Sequence, residues 1–186
     1  MLIPVLATIT RVIWVAIEFP YLWPHRVRPA QDWDKHSAKI WDVANVIELV
    51  GMGLGFAGIG RIHTAPKVIG SIGLCLLVVG IAIRWVAIYT LGKFFNGLIV
   101  IKTDHQLVRT GIYQHLRHPA YTGTLLAHLG LGLAFSNWYS LIISTVPYVL
   151  IASYRMRVEE RALASTFGSE YATYCQTSKR LIPRLY

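Results

Sequence analysis

Long apolar runs separated by short polar segments dominate the sequence. A helix that crosses a bilayer needs about 20 mostly apolar residues. Five runs approach or exceed that length: 2–19, 40–60, 68–91, 120–135 and 138–153. Only Ser136 and Asn137 separate the last two runs, which predicts a tight C-terminal helical hairpin. The pattern therefore predicts an all-α integral membrane protein with about five transmembrane helices.

The two ends of the chain carry further signals, a polar segment after the last apolar run and an apolar N-terminus. After the last run, segment 158–174 is polar, with apolar side chains at helical spacing at Val158, Ala162, Leu163 and Phe167. We predict a separate amphipathic helix there, on the cytoplasmic membrane surface. Residues 1–23 carry no basic n-region and no small-residue cleavage motif, so they are interpreted as a retained span rather than a signal peptide.

Composition and charge support a membrane location. Hydrophobic residues make up 54% of the chain and charged residues only 15%, whereas soluble domains have about 25% charged residues. The net charge is +9, with 18 Lys and Arg. Five spans place most of these cations on one side, in segments 20–39 and 92–119 and in the tail. The asymmetry predicts an outside N-terminus and a cytoplasmic C-terminus, and it explains the charge without nucleic acid.

Three ionisable residues lie inside the predicted spans: Arg11, Glu48 and Arg84. Such residues are functional-site hypotheses by default. Glu48 and Arg84 would each lie about 10–12 Å from the cytoplasmic ends of their helices, so a structural Glu48–Arg84 ion pair is predicted. The second run is rich in glycine, and the spacing of Gly51 and Gly55 predicts close helix packing.

Two polar segments could carry chemistry. The first is 105–121, which contains three histidines and two tyrosines between the third and fourth runs. It is either a plain loop or the wall of a cavity, because irregular backbone at membrane depth must be buried in protein or line a cavity. The second is Arg155 with Glu159 and Glu160, which is either a surface ion pair or part of a site. The two cysteines form no Cys-x-x-Cys or Cys/His cluster, so no metal site is predicted.

From residue 101 onward, the sequence resembles the isoprenylcysteine carboxyl methyltransferase family of integral-membrane methyltransferases. Arg155, Glu159 and Glu160 carry part of this resemblance. The remaining matching segments are HQLV at 105–108, GIY at 111–113, RHPAYTG at 117–123, SN at 136–137, FGSEY at 167–171 and RLIP at 180–183. The first hundred residues resemble the family only in hydropathy and in the number of spans.

The resemblance implies an S-adenosylmethionine-dependent O-methyltransferase that contains no metal. Arg155 is implied to bind the substrate and to be the catalytic residue, whereas His115 lies outside the family pattern. The implied cofactor-binding residues are His105, Gln106, Leu107, Val108, Tyr113, His118, Pro119, Ala120, Tyr121 and Glu159. The implied organisation is a single membrane domain, 1–186. Its three N-terminal spans occupy 1–91, and the cofactor loop, hairpin and catalytic segment occupy 92–186.

The implied reaction is methyl esterification of the carboxylate of a lipidic substrate, such as a C-terminal isoprenylcysteine, with S-adenosyl-L-homocysteine as the second product. The implied partners are the bilayer and a lipophilic or prenylated substrate. Two alternatives stay open from sequence: methylation of a phospholipid amine or a thiol, with His118 and Glu160 as candidate bases, or a non-catalytic membrane protein or transporter. Closure of residues 179–186 over the cofactor is compatible with the resemblance at Arg180 and Pro183 and stays open from sequence.

Overall fold

Six α-helices form most of the part of the chain that a computed structural model describes, residues 1–22, 37–99, 101 and 104–182. Their bounds are α1 (Leu2–Leu22), α2 (Ser37–Ala57), α3 (Pro66–Leu91), α4 (Pro119–Ala134), α5 (Trp138–Phe167) and α6 (Ser169–Thr177). Two 3₁₀ turns, Gly92–Phe94 and Gly111–Gln114, lie between α3 and α4. The all-helical prediction is confirmed.

Four of these helices are long and apolar enough to cross a membrane. The spans are Leu2–Pro20, Lys39–Ala57, Pro66–Phe94 and Trp138–Phe167. Large apolar side chains such as Val12, Leu49 and Leu150 are exposed on their outer faces, as expected for contact with lipid. The chain is thus a multi-pass membrane protein. Helix α4 has 16 residues, which is shorter than a typical span, and the fifth transmembrane helix stays a prediction.

The separate amphipathic helix predicted over 158–174 is wrong. Helix α5 continues for 30 residues, through the predicted end of the last span at 153, and stops only at Gly168 with φ 51°. The polarity of the sequence changes near Arg155, but the following residues are good helix formers with no glycine or proline before Gly168. A change from apolar to polar residues along the sequence therefore does not indicate where a helix ends.

Helices α3 and α4 pack through glycines that face each other. Gly73 and Gly80 on α3 oppose Gly130 and Gly123 on α4, and a Cβ at any of the four would lie less than 3.0 Å from backbone atoms of the facing helix. Small residues allow this approach between membrane helices, where dispersion and not the hydrophobic effect favours association. The close contact fixes α4 against α3 and so determines where the site residues at the start of α4 lie.

The close packing predicted at Gly51 and Gly55 is confirmed. A Cβ at Gly51 would lie 3.0 Å from Ile143 on α5, and one at Gly55 would lie 2.5 Å from the hydroxyl of Ser140. Ser140 also donates a hydrogen bond of 2.8 Å to the carbonyl of Gly51. A Cβ at Gly53, by contrast, would have no atom of another helix within 4 Å. Helix α2 thus packs against α5 through the face that carries Gly51 and Gly55.

The predicted Glu48–Arg84 ion pair is wrong. Glu48 accepts a hydrogen bond of 2.9 Å from Arg11 Nε and pairs with His128, whereas Arg84 pairs with Glu18. Glu18 lies one residue before the predicted end of the first run, and it was not among the predicted membrane charges. All five side chains are buried. Unpaired buried charges are costly, and the two carboxylates and two guanidinium groups compensate each other across α1, α2 and α3.

Candidate active site

A cavity of about 180 Å³ lies where the polar segment 105–121 meets α5. This volume exceeds the space for one water molecule, about 10–15 Å³, by an order of magnitude. All predicted site residues except Pro119 line the cavity: His105, Gln106, Leu107, Val108, Tyr113, His118, Ala120, Tyr121, Arg155 and Glu159. Pro119 is buried in the first turn of α4 beside it. Their proposed roles stay predictions, but the fold brings them together.

Sequence reasoning missed the wall that the first half of the chain contributes. Trp41 and Asp42 from the start of α2 line the cavity, as does Arg84 from α3. Apolar residues between α3 and the polar segment, including Phe95 and Ile99, complete this wall. Arg84 had a signal, its charge inside an apolar run. Trp41 and Asp42 had none, because their place depends on how α2 packs against α5.

The polar segment is a structured wall and not a plain loop. Its backbone pairs with the residues after α6: Arg117 N–H donates to the Lys179 carbonyl at 2.7 Å, and Lys179 N–H donates to the His115 carbonyl at 2.9 Å. Tyr174 adds a hydrogen bond of 2.7 Å from its hydroxyl to the Tyr113 carbonyl. Burial raises the pKa of Tyr174 to about 12, so this hydroxyl keeps the proton that it donates. His115 itself is exposed.

Arg155 is held at the cavity from two sides. Its Nε lies 3.2 Å from the Tyr121 hydroxyl, and its NH2 group donates to the Gly97 carbonyl at 2.7 Å. The guanidinium carbon lies 5.8 Å from the centre of the Trp41 ring, within range of a cation–π contact. Arg155 is only 6% exposed, which rejects the interpretation as a solvent-exposed surface pair. A buried, oriented guanidinium lining a cavity is suited to bind a carboxylate.

Glu159 lies one helical turn after Arg155 and is half-buried at the same cavity. The Tyr121 hydroxyl accepts a hydrogen bond from Arg155 Nε, and Tyr121 lines the cavity together with Arg155 and Glu159. Burial raises the pKa of Tyr113 well above its usual value, and the negative charge of Glu159 contributes to this. Tyr113 is thus a neutral hydroxyl at the cavity wall. The site has one cationic and one anionic group on neighbouring turns of α5.

The next residue, Glu160, is not among the residues that line the cavity, and it connects three segments. Its carboxylate lies 3.1 Å from His118 Nε2, accepts a hydrogen bond of 3.3 Å from Arg117 Nε and forms an ion pair of 2.8 Å with Arg180. These contacts attach the residues after α6 to the start of α4. They also determine the orientation of His118, which lines the cavity.

The residues around the cavity fit S-adenosylmethionine by their chemistry. The carboxylates of Glu159 and Asp42 can accept from ribose hydroxyls or an ammonium group. The rings of Phe94, His105 and Tyr113 offer apolar and aromatic surface to a purine. Small-molecule sites commonly combine such apolar walls with a few oriented polar groups.

Comparison with known proteins connects this site to a family. The family model for isoprenylcysteine carboxyl methyltransferases matches residues 72–165. The protein-S-isoprenylcysteine O-methyltransferase of Tribolium castaneum is 33% identical over 130 residues, 69% of this chain and 45% of that protein. Protein-S-isoprenylcysteine O-methyltransferase B of Arabidopsis thaliana is 34% identical over 117 residues, 62% of this chain and 59% of that protein.

A solved structure gives the same result. The eukaryotic intramembrane Ras methyltransferase, an isoprenylcysteine carboxyl methyltransferase, superposes with a TM-score of 0.65 at 30% identity. The alignment covers 78% of this chain and 52% of that one. The chain thus spans about half the length of the relatives that it matches.

The extent of the family match corrects the extent predicted from the resemblance. The match begins at residue 72, inside α3, and not after residue 101. It therefore includes Arg84 and the α3 glycines that pack against α4. It ends at residue 165, before the segments 167–171 and 180–183, whose resemblance stays a prediction. Together with the arrangement of Arg155 and Glu159, the match over half of the sequence shows that the chain belongs to the isoprenylcysteine carboxyl methyltransferase family.

Proposed function

We propose that this protein transfers a methyl group from S-adenosylmethionine to the carboxylate of a lipidic substrate, such as a C-terminal isoprenylcysteine. The observation that carries the proposal is the buried Arg155 guanidinium, oriented by Tyr121 and Gly97 at a cavity next to membrane-spanning helices. The relatives named as protein-S-isoprenylcysteine O-methyltransferases support the same reaction.

The proposed methyl transfer to a carboxylate requires no proton transfer by the protein. A carboxylate has a pKa near 4 and is ionised at neutral pH, so it attacks without a general base. The cofactor supplies an electrophilic methyl group on a positively charged sulfur. Arg155 orients the carboxylate, and the surrounding residues exclude water. Holding two reactants in line can contribute several kcal/mol. Because the ester is neutral, a moderate ion pair with Arg155 serves better than a very strong one.

The cofactor side of the proposal rests on Glu159 and the polar segment. Glu159 would accept hydrogen bonds from donors of the cofactor, and residues 105–108 with Tyr113 would form the surrounding wall. The residues that follow α6 support this wall through their backbone pairing with residues 115–118. A lid over the cofactor formed by residues 179–186 would extend beyond Ile182, the last residue that the structure describes.

The substrate side rests on the apolar wall and on charge. Trp41, Phe95 and Ile99 present apolar surface next to Arg155, which suits a carboxylate attached to a lipid. The distribution of Lys and Arg favours a cytoplasmic C-terminus and cofactor site. A lipidic substrate would then reach the site from the bilayer and the cofactor from the cytoplasm.

Calorimetric titration of S-adenosylhomocysteine into detergent-purified protein tests the cofactor site. Micromolar binding by the wild type, lost in Glu159→Ala, would support the proposal. Glu170→Ala on α6 is the matched control, because Glu170 forms an exposed ion pair with Arg109 and neither residue lines the cavity. A well-folded wild type without binding in detergent and in lipid nanodiscs would reject the cofactor.

Radiolabelled methyl transfer tests the acceptor. The protein is supplied with an S-farnesyl cysteine derivative that has a free carboxylate, with its carboxamide, and with vesicles of an amine phospholipid. Transfer to the carboxylate alone, yielding a base-labile ester, is the expected result. Transfer to the phospholipid amine and not to the carboxylate would replace the proposed acceptor while keeping the cofactor.

A further inference from the structure

Two consecutive glutamates on α5 face opposite nitrogens of one histidine. Glu160 Oε1 lies 3.1 Å from His118 Nε2, and Glu159 Oε2 lies 3.9 Å from His118 Nδ1. The His118 side chain is 2% exposed and lines the cavity. Because the two ring nitrogens differ in partner and distance, the environment distinguishes between the two neutral forms of the ring.

The contact with Glu160 determines where the ring proton lies. Glu160 is also bound by the guanidinium groups of Arg117 and Arg180. A carboxylate between two guanidinium groups is favoured in its ionised form and can only accept hydrogen bonds. His118 Nε2 must therefore donate, and the proton of the neutral ring lies on that nitrogen.

The contact with Glu159 leaves the second nitrogen available as an acceptor. A separation of 3.9 Å exceeds the 2.7–3.2 Å of an N–H···O hydrogen bond, so Nδ1 does not donate to Glu159. The Tyr121 ring, with its centre 5.7 Å from that of His118, packs edge-on against the imidazole. Since the two arginines already compensate Glu160, the cluster does not require a positive charge on His118.

We propose that Glu160 is a positioning residue that fixes His118 as the neutral Nε2–H form, so that Nδ1 accepts a hydrogen bond from a bound ligand beside Glu159. His118 Nδ1 and Glu159 Oε2 then form a pair of acceptors 3.9 Å apart on one side of the cavity. The ligand chemistry that fits is a group with two donors, either an ammonium or a vicinal hydroxyl pair. The identity of the ligand as S-adenosylmethionine rests on the proposed function, whereas the form of the ring does not.

Nitrogen-15 NMR of histidine-labelled protein tests the ring directly. The spectrum is recorded at neutral pH in lipid nanodiscs without ligand, and His118→Gln identifies the signal among the seven histidines. Two nitrogen shifts typical of the neutral Nε2–H form are expected in the wild type. In Glu160→Gln, whose amide can donate as well as accept, a mixture of the two neutral forms is expected. An imidazolium or an Nδ1–H form in the wild type would overturn the proposal, even if Glu160→Gln does not fold.

Ligand affinity tests the consequence for binding. Glu160→Gln should weaken S-adenosylhomocysteine binding about tenfold, the loss of one oriented hydrogen bond. Glu170→Gln, the same change at an exposed ion pair, should stay within about twofold. Unchanged affinity in Glu160→Gln together with an unchanged ring form would reject the positioning role.

A second ligand identifies the donor. 5′-Methylthioadenosine retains the ribose hydroxyls but lacks the ammonium group. If Glu160→Gln weakens both ligands, the acceptor pair binds the ribose hydroxyls, and if it weakens only S-adenosylhomocysteine, the pair binds the ammonium. Both results support the proposal. If the wild type binds neither ligand, the proposed function fails, and the NMR measurement still decides the form of the ring.

Discussion

Replacing Gly80 with alanine should weaken the contact between α3 and α4. A Cβ at residue 80 would lie 2.5 Å from the Gly123 carbonyl oxygen and closer still to the Ala127 backbone nitrogen. Optimal contacts of carbon atoms lie at about 3.5–4.0 Å, so the helices must separate by about 1 Å. No rotamer can relieve the clash, because both partners are backbone atoms. A gap of this size removes about a quarter to a half of the dispersion energy of each contact.

The expected destabilisation is about 1–3 kcal/mol, the usual range for overpacking. For a chain of this size, 1 kcal/mol corresponds to about 2–4 °C, so the midpoint of thermal unfolding should fall by roughly 4–8 °C at the middle of this range. Gly53→Ala is the matched control, since its Cβ would have no atom of another helix within 4 Å. Alanine has the better helix propensity, so this control should be neutral or slightly stabilising.

The assay is thermal unfolding of the detergent-purified variants, followed by tryptophan fluorescence. If Gly80→Ala unfolds at or above the temperature of Gly53→Ala, the close packing of α3 against α4 does not contribute as described. Such a result would also remove the reason for placing the start of α4, with His118 and Tyr121, where the cavity requires it.

Three further predictions concern charge and the site. Glu18→Gln should lower the free energy of unfolding by about 3–5 kcal/mol, because it leaves Arg84 buried without its carboxylate, and an unchanged unfolding midpoint would contradict that pairing. Arg155→Lys should lower methyl transfer about 10- to 100-fold through loss of its fixed fork, with S-adenosylhomocysteine affinity within about twofold by calorimetry. Equal losses of both would refute a role on the substrate side. Truncation after Thr177 removes the backbone partners of residues 115–118 and should weaken S-adenosylhomocysteine binding, and equal affinity would refute the lid.

The spans could be predicted because the bilayer selects helices by length and hydropathy. The same criterion placed the end of the last helix incorrectly, since hydropathy reports the solvent around a helix and not its hydrogen bonds. Gly168, with φ 51°, was the local signal for the true end of α5. For α4 hydropathy placed both ends within one residue of the predicted run 120–135. The helix has only 16 residues, however, which is fewer than a typical membrane span needs.

The partners of the buried charges could not be predicted from sequence. Burial of Arg11, Glu48 and Arg84 follows from their position in apolar runs, but pairing depends on the rotation of each helix about its axis. Glu18 and His128, which complete the pairs, lie 66 and 80 residues from the partners that they contact. The family resemblance supplied the cavity residues after 101 but none of those before it. Trp41 and Asp42 join the cavity only through the packing of α2 on α5.

The length of α5 connects the membrane to the chemistry. At 1.5 Å per residue, its 30 residues extend about 45 Å, which is longer than the roughly 30 Å hydrocarbon core. If Trp138 lies at one membrane interface, Arg155 and Glu159 lie about 26 Å and 32 Å along the helix, near the opposite interface. At that depth a carboxylate on a lipid tail and a polar cofactor can reach neighbouring turns of the same helix. Because α5 continues without a break where a separate surface helix was predicted, it fixes the proposed substrate residue Arg155 and the proposed cofactor residue Glu159 one turn apart.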